Sequence, residues 1–225
     1  MSEFSQAIQT IAVYAIPVLF AISLHEAAHG YVARYFGDPT AAQLGRLSMN
    51  PTRHIDPFGT VLLPLMLYLS PLGVPFGYAR PVPVDYDRLR NPKKQMGFVA
   101  AAGPMANFIM GFGWMAWLEV MQGMGISEPF LVKMALAGIN VNAIMCVFNL
   151  LPVPPLDGGR IMTALLPNAL ARRYGRIEQY TPWIFIGLLA LMYFNVLTPL
   201  LSAMVGVFLQ LLQLLVFPLK LLMNI

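Results

Sequence analysis

Two histidines four residues apart with a glutamate beside the first, His25-Glu26-Ala27-Ala28-His29, make the clearest chemical pattern in the chain. On a helix, side chains at i and i+4 share a face, so both imidazoles can bind one tetrahedral metal ion. Glu26 can then take a proton from a water on that metal and pass it to a leaving amine. A purely structural role is the weaker reading, because three ionisable groups within one turn of an apolar helix are costly and generally mark function.

The metal still lacks a ligand. The motif HExxHxxGxxH would need Gly and His where Val32 and Tyr35 stand, and no Glu occurs between Glu26 and Glu119. His54 is the one other His; as a ligand it would close the position that catalysis needs, so a turn role in His54-Ile55-Asp56-Pro57 fits better. Asp38 and Asp56 flank turns, where capping suits them. Asp157 is different, because it closes Asn149-Leu150-Leu151-Pro152-Val153-Pro154-Pro155-Leu156-Asp157-Gly158-Gly159 at the end of an apolar stretch. The prolines stop a helix there, and irregular backbone at membrane depth is tolerated only where it is buried or lines a wet cavity. Spacing alone leaves two readings. Asp157 is either the third ligand of a His2Asp site or the N-cap of a helix starting near Gly158.

The elements that must position these groups are membrane helices. The 225 residues are 58% hydrophobic and 11% charged, against roughly 25% charged in a soluble domain. Soluble, disordered and disulfide-scaffold classes are thereby excluded, the last by a single Cys. The net charge of +4 reads as basic loops on one face of a membrane rather than as a nucleic-acid surface. Apolar stretches cover residues 8–33, 58–78, 97–121, 131–151 and 182–217. The last is too long for one span, and Pro199 divides it into a helical hairpin. The expectation is an all-α polytopic membrane protein with about five to six transmembrane helices, one of its segments re-entrant. Residues 1–225 read as one membrane-embedded domain, with a catalytic core at 8–166 and a C-terminal hairpin at 182–217. No cleaved signal peptide or internal repeat is apparent.

Pro64, Pro71 and Pro75 suggest that 58–78 dips in and returns. With that dip, 13 of the 14 basic residues fall on one face and only Lys133 on the other. The positive-inside rule then puts the N-terminus outside and loops 34–57, 79–96 and 158–181 in the cytoplasm. His25 lies about 21 Å along its helix from Ile11, nearer the cytoplasmic face.

HEAAH in an apolar helix, followed by NLLPVPPLDGG, resembles the site-2 protease family of intramembrane zinc metalloproteases, the M50 type. Further matches are Gly37-Asp38-Pro39-Thr40, Gly45-Arg46-Leu47, Asn50-Pro51, His54-Ile55-Asp56-Pro57 and Gly103-Pro104-Met105-Ala106-Asn107, so the likeness runs from about residue 11 to 166. It implies one zinc ion held by His25, His29 and Asp157, with Glu26 as general base. It also implies substrates that are membrane-spanning segments of other proteins, chiefly single-span proteins already cut once outside the membrane. Asn149 would hold substrate or stabilise an oxyanion, the alternative being a polar residue that closes a helix end. The chain looks like compact members without PDZ or CBS domains, seated in the cell (inner) membrane.

In Arg80-Pro81-Val82-Pro83-Val84-Asp85 the alternating prolines leave the Val82 and Val84 N–H groups on one edge, able to pair with an unwound substrate. Family members resemble this, with a membrane-dipping β-hairpin near the site; the alternative is an extended interfacial loop. Gly103, Pro104 and Asn107 read as shaping helix contacts. A metal-ion transporter or an inactive scaffold built on the same polar cluster are the competing functions. The lack of a repeat and the placing of Glu26 beside the His pair favour hydrolysis.

Overall fold

The computed structural model describes residues 3–48, 50, 56–62, 66 and 80–223, and those residues form helices and loops with no strand among them. The long apolar stretch at the start is α1 (Glu3–Tyr35), followed by a single turn, α2 (Thr40–Gln43). A short π-helical turn (Pro57–Leu62) and a 3-10 turn (Tyr86–Arg88) precede α3 (Pro92–Gly123), which starts with Pro in its first turn. Helix α4 (Pro129–Asn149) has the same proline start, and the Glu128 carboxylate caps it by accepting the Leu131 N–H at 2.9 Å. Then come α5 (Asp157–Leu165), α6 (Asn168–Gly175), α7 (Thr181–Tyr193) and α8 (Thr198–Met223).

Four helices, α1, α3, α4 and α8, are long and apolar enough to cross a membrane. Their outer faces carry Ile11, Ile109 and Leu214, each more than 60% exposed, as expected where lipid replaces water as solvent. Helix α3 is the central element and packs on α1, α4, α5 and α8. The Arg90 N–H donates to Phe36 O at 3.1 Å, so α3 begins where α1 ends and runs back beside it. The short link 124–128 then makes α4 antiparallel to α3. Met115, Leu118, Ile139, Ala143, Phe208 and Leu212 fill the seam between α3, α4 and α8. Cys146 is buried in the same cluster, as a small packing residue.

The C-terminal part departs from the expected pair of spans. The turn is where Pro199 suggested, with Asn195 in the left-handed region at φ 56°. However, α7 has 13 residues, or about 20 Å of helix, against about 30 Å of hydrocarbon. Leu188 of α7 and Leu201 of α8 pack against Leu151 and Leu156 at the end of α4, so α7 stays at that end of the bundle. Helix α8 then runs parallel to α3: the Phe108 and Phe208 rings lie 5.4 Å apart, and Lys220 Nζ is 2.9 Å from Glu119 Oε1 near both C-termini. Lys220 therefore joins Lys133 on the far side, a correction to the expected 13-to-1 charge separation. The extra apolar length of 182–217 belongs to a helix of 13 residues, shorter than a span needs.

Against the expected five to six spans, four helices among the described residues are long and apolar enough to cross. Most of the proposed re-entrant segment lies outside them. Its flanks are described: Arg46 Nη2 is 3.4 Å from both Arg80 O and Pro81 O, so the chain leaves and returns at one end of the bundle. The expected β-hairpin is not seen among the described residues, and 80–85 has no regular secondary structure.

Candidate metal centre

Three ligand atoms converge where α1, α3 and α5 meet. His25 Nε2 and His29 Nε2 are 3.1 Å apart, and Asp157 Oδ2 lies 3.2 Å from the first and 3.4 Å from the second. The side chains of the three are 6–12% exposed. Leu156 takes the N-cap position of α5, and Asp157 sits in its first turn.

The outer nitrogen of each ring fixes what the inner one can do. His29 Nδ1 is 2.7 Å from Val99 O, a carbonyl that can only accept, so Nδ1 carries the proton. His25 Nδ1 is 2.6 Å from Asn107 Oδ1, whose amide is oriented so that its oxygen faces the ring. In the neutral rings both Nε2 atoms are then lone-pair donors aimed at one point. The Asp157 separations would suit ion pairs, but neither neutral ring has a hydrogen there to give, and Asp157 Oδ2 is buried without a hydrogen-bond partner. Three electron-rich atoms held this close repel one another unless a cation lies between them. Metal bonds of 2.0–2.1 Å in a tetrahedron put its ligand atoms about 3.3 Å apart, which the three observed separations match. His25, His29 and Asp157 fit a metal ion of the N/O-binding, tetrahedral class.

Small residues make this approach possible. A Cβ on Gly103 would collide with His29 Nε2 and lie 2.5 Å from His25 Cε1 and 2.6 Å from His25 Nε2. On Gly159 it would lie 2.5 Å from Pro154 N, and on Gly158 it would overlap the Leu150 and Leu151 carbonyl oxygens. The Gly-Gly pair after Asp157 thus lets α5 start against the proline-rich bend. Gly103→Ala should raise helix propensity by roughly 1 kcal/mol, yet we expect purified protein with substoichiometric metal, read by elemental analysis. A full metal content in that variant would contradict the packing described.

Glu26 points towards a different partner. Its Oε2 accepts the Val82 N–H at 2.8 Å, so the segment Arg80–Asp85 crosses beside the base like a strap. Val82 is buried and its side chain lies against Gly30, while Val84 packs beside Ala33, Leu89 and Val99. The N–H expected to face a substrate edge is thus engaged with Glu26. The strap is fastened at several points beyond Glu26. Asp38 accepts the Asp85 N–H at 2.8 Å, Arg46 reaches the Arg80 and Pro81 carbonyls, and Arg160 donates to the Tyr86 hydroxyl at 2.5 Å. Arg160 also pairs with Glu178 at 3.2 Å, tying the Asp157 helix to the turn Arg176–Tyr180.

Asp38 is 1% exposed and takes the Thr40 N–H (2.9 Å) and hydroxyl on Oδ1, besides Asp85 on Oδ2. Burial pushes its carboxyl up, but those hydrogen bonds and the Arg88 charge outweigh it, so the group is held below the ordinary Asp range. A depressed native pKa adds stability above the unfolded value near 3.9, and that stability is lost as pH falls through the native value. Asp38→Asn turns an NH2 towards one of the donors and should cost about 1–3 kcal/mol at pH 7. Thermal unfolding in detergent should show the gap between wild type and variant narrowing below about pH 4; a pH-independent gap would contradict the assignment.

Of the remaining residues singled out by sequence, the Asn149 amide donates to Met145 O at 3.0 Å, closing the last turn of α4. Asp56 Oδ1 caps the turn after it by accepting the Phe58 and Gly59 N–H groups. His54 lies outside the described residues. Asn107, expected only to shape helix contacts, and Asn142, which no motif singles out, are both fully buried and lead to the site through hydrogen bonds. Their signal was an amide in the middle of each of two apolar spans.

The chain matches one protein family, described as Peptidase family M50, over residues 13–138 and 124–194. It is similar to "Putative zinc metalloprotease YwhC" of Bacillus subtilis, 36% identical over 176 residues that cover 76% of this chain and 77% of that protein. It is also similar to "Putative zinc metalloprotease Rip2" of Mycolicibacterium smegmatis, 32% identical over 146 residues covering 62% of this chain and 52% of that one. The match thus spans about half the length of that relative. No solved structure matches the chain.

Proposed function

This chain belongs to peptidase family M50 and is a multi-pass membrane metalloprotease of the site-2 type, and from that premise we propose that it hydrolyses peptide bonds within membrane-spanning segments of other proteins. The observation that carries the reading is three converging lone-pair donors, His25, His29 and Asp157, beside Glu26 and inside a bundle of spanning helices. The names of the relatives and the nitrogen-oxygen ligand set favour zinc. A zinc ion held there supplies Lewis acidity towards a peptide carbonyl and makes water easier to deprotonate.

The protein's own groups do the rest. Glu26 takes the proton of the attacking water and returns it to the leaving amine, a role typically worth 10²–10⁴-fold. The Val82 N–H holds one carboxylate oxygen and thereby aims the other. Val99 O and Asn107 keep both imidazoles in the tautomer that binds metal. Bulk water is restricted by the apolar surroundings, and the polar strap provides backbone groups for an unwound substrate. A helical substrate hides its amides, so small or helix-breaking residues near the cut should favour cleavage. Substrates that have already lost their outer domains fit a site at this depth. We place the C-terminal end of α1 and the start of α3 in the cytoplasm, because the basic residues gather there.

Purified protein reconstituted with a single-span substrate carrying a Gly-Pro step in its membrane segment tests the proposal. A cut within that segment that a chelator abolishes and added zinc restores is the expected result. Cleavage that persists without metal, or only in the flanking loops, would overturn it.

A further inference from the structure

The His25 side chain depends on another side chain for its chemistry, whereas His29 depends on main chain. We propose that Asn107, itself oriented by Asn142, is the positioning residue that fixes the Nδ1–H tautomer of His25 and so presents Nε2 to the metal. The inference rests on the metal-site reading above but concerns a group that touches neither metal nor substrate.

An amide has no preferred orientation of its own, so the assignment must come from what surrounds it. Here the chain of constraint starts at a main-chain carbonyl. Gly138 O can only accept, and Asn142 Nδ2 donates to it at 2.8 Å. Asn142 Oδ1 is thereby turned towards Asn107, whose Nδ2 donates to it at 2.9 Å and to Ala21 O at 3.2 Å. Both partners of that NH2 are acceptors, so the Asn107 oxygen must face the other way, 2.6 Å from His25 Nδ1. An amide oxygen cannot donate. His25 Nδ1 must therefore carry a proton, and in the neutral ring that leaves the lone pair on Nε2.

Every member of this relay is shielded. Asn107 and Asn142 are 0% exposed and His25 is 5% exposed, so water is not at hand to replace a lost partner. The relay joins three helices: Ala21 and His25 on α1, Asn107 on α3, and Gly138 and Asn142 on α4. It also explains why two amides are placed in mid-span, where helix packing alone would be served by small residues such as the neighbouring Gly103. Groups that orient a metal-ligating His in this way usually change metal affinity by 10–100-fold when removed.

The test uses full-length protein in detergent, with its three His labelled by 15N. In metal-free wild type, His25 and His29 should both show a protonated Nδ1 and an unprotonated Nε2. Asn107→Leu should disturb that pattern at His25 alone and weaken zinc binding 10–100-fold in a chelator competition. Asn107→Asp keeps an acceptor facing Nδ1, and a proton on its other oxygen can meet the Asn142 oxygen, so it should recover part of the affinity. Asn142→Leu frees the Asn107 amide to turn and should give a smaller loss of the same kind. The proposal is overturned if His25 carries its proton on Nε2 in wild type, if Asn107→Leu leaves affinity unchanged, or if Asn107→Asp is as weak as Asn107→Leu. Should Asn107→Leu fail to fold, the wild-type spectrum and Asn107→Asp still decide. If wild type binds no zinc, the metalloprotease site reading fails, while the wild-type tautomer pattern still tests the relay.

Discussion

Glu26→Gln should retain a full complement of zinc and lose peptide hydrolysis by at least about a hundredfold. Glutamine has the size of glutamate and can still accept the Val82 N–H through its amide oxygen, so the strap contact survives. What it cannot do is hold a proton between the attack of water and the departure of the amine. None of the three converging ligand atoms belongs to residue 26, so the metal should be unaffected. Zinc content and turnover measured on the same preparation give the answer. Loss of both together would mean that Glu26 serves the site structurally, and retained hydrolysis would remove it from the reaction.

Asp157→Ser is the second large effect. Serine suits the first turn of a helix nearly as well as Asp, so α5 should keep its start, with only the modest contribution of an acidic group near a helix N-terminus lost. The metal, however, would lose its carboxylate and be left with two imidazoles. Zinc affinity should fall by more than the 10–100-fold that removal of a supporting group costs, and activity should fall with it. The N-cap of α5 is Leu156 and not Asp157, so the outcome separates a metal ligand from an acidic residue that merely sits in the first turn. Unchanged zinc stoichiometry with a lowered unfolding temperature would make it a helix-start residue and nothing more.

Much of the site was legible because it is local. HEAAH declares its geometry through a helical repeat of four, and a carboxylate closing a proline-broken span in an otherwise uncharged region has few reasons to be there. The parts that were hidden depend on tertiary register. Residues 182–217 are apolar enough for two spans, but only the packing of Leu188 against Leu151 and Leu156 shows that α7 stays at one end. Lys220 counts by sequence among the 13 basic residues on one face, but its pairing with Glu119 places it opposite. Val82 was expected to offer a free N–H; the fold brings Glu26 to it across 56 positions of sequence. Asn107 was hidden for the same reason, since an amide in a helix says nothing about which side chain from 82 positions earlier it will meet.

The central claim is that this metal centre cuts other proteins inside the membrane. Cells carrying the wild-type chain or Glu26→Gln in its place can be compared by mapping the protein termini present in their membranes. Termini that depend on wild-type enzyme should fall within membrane-spanning segments, and the uncut stubs should accumulate with Glu26→Gln. Termini confined to loops outside the membrane, or identical in the two strains, would contradict the account.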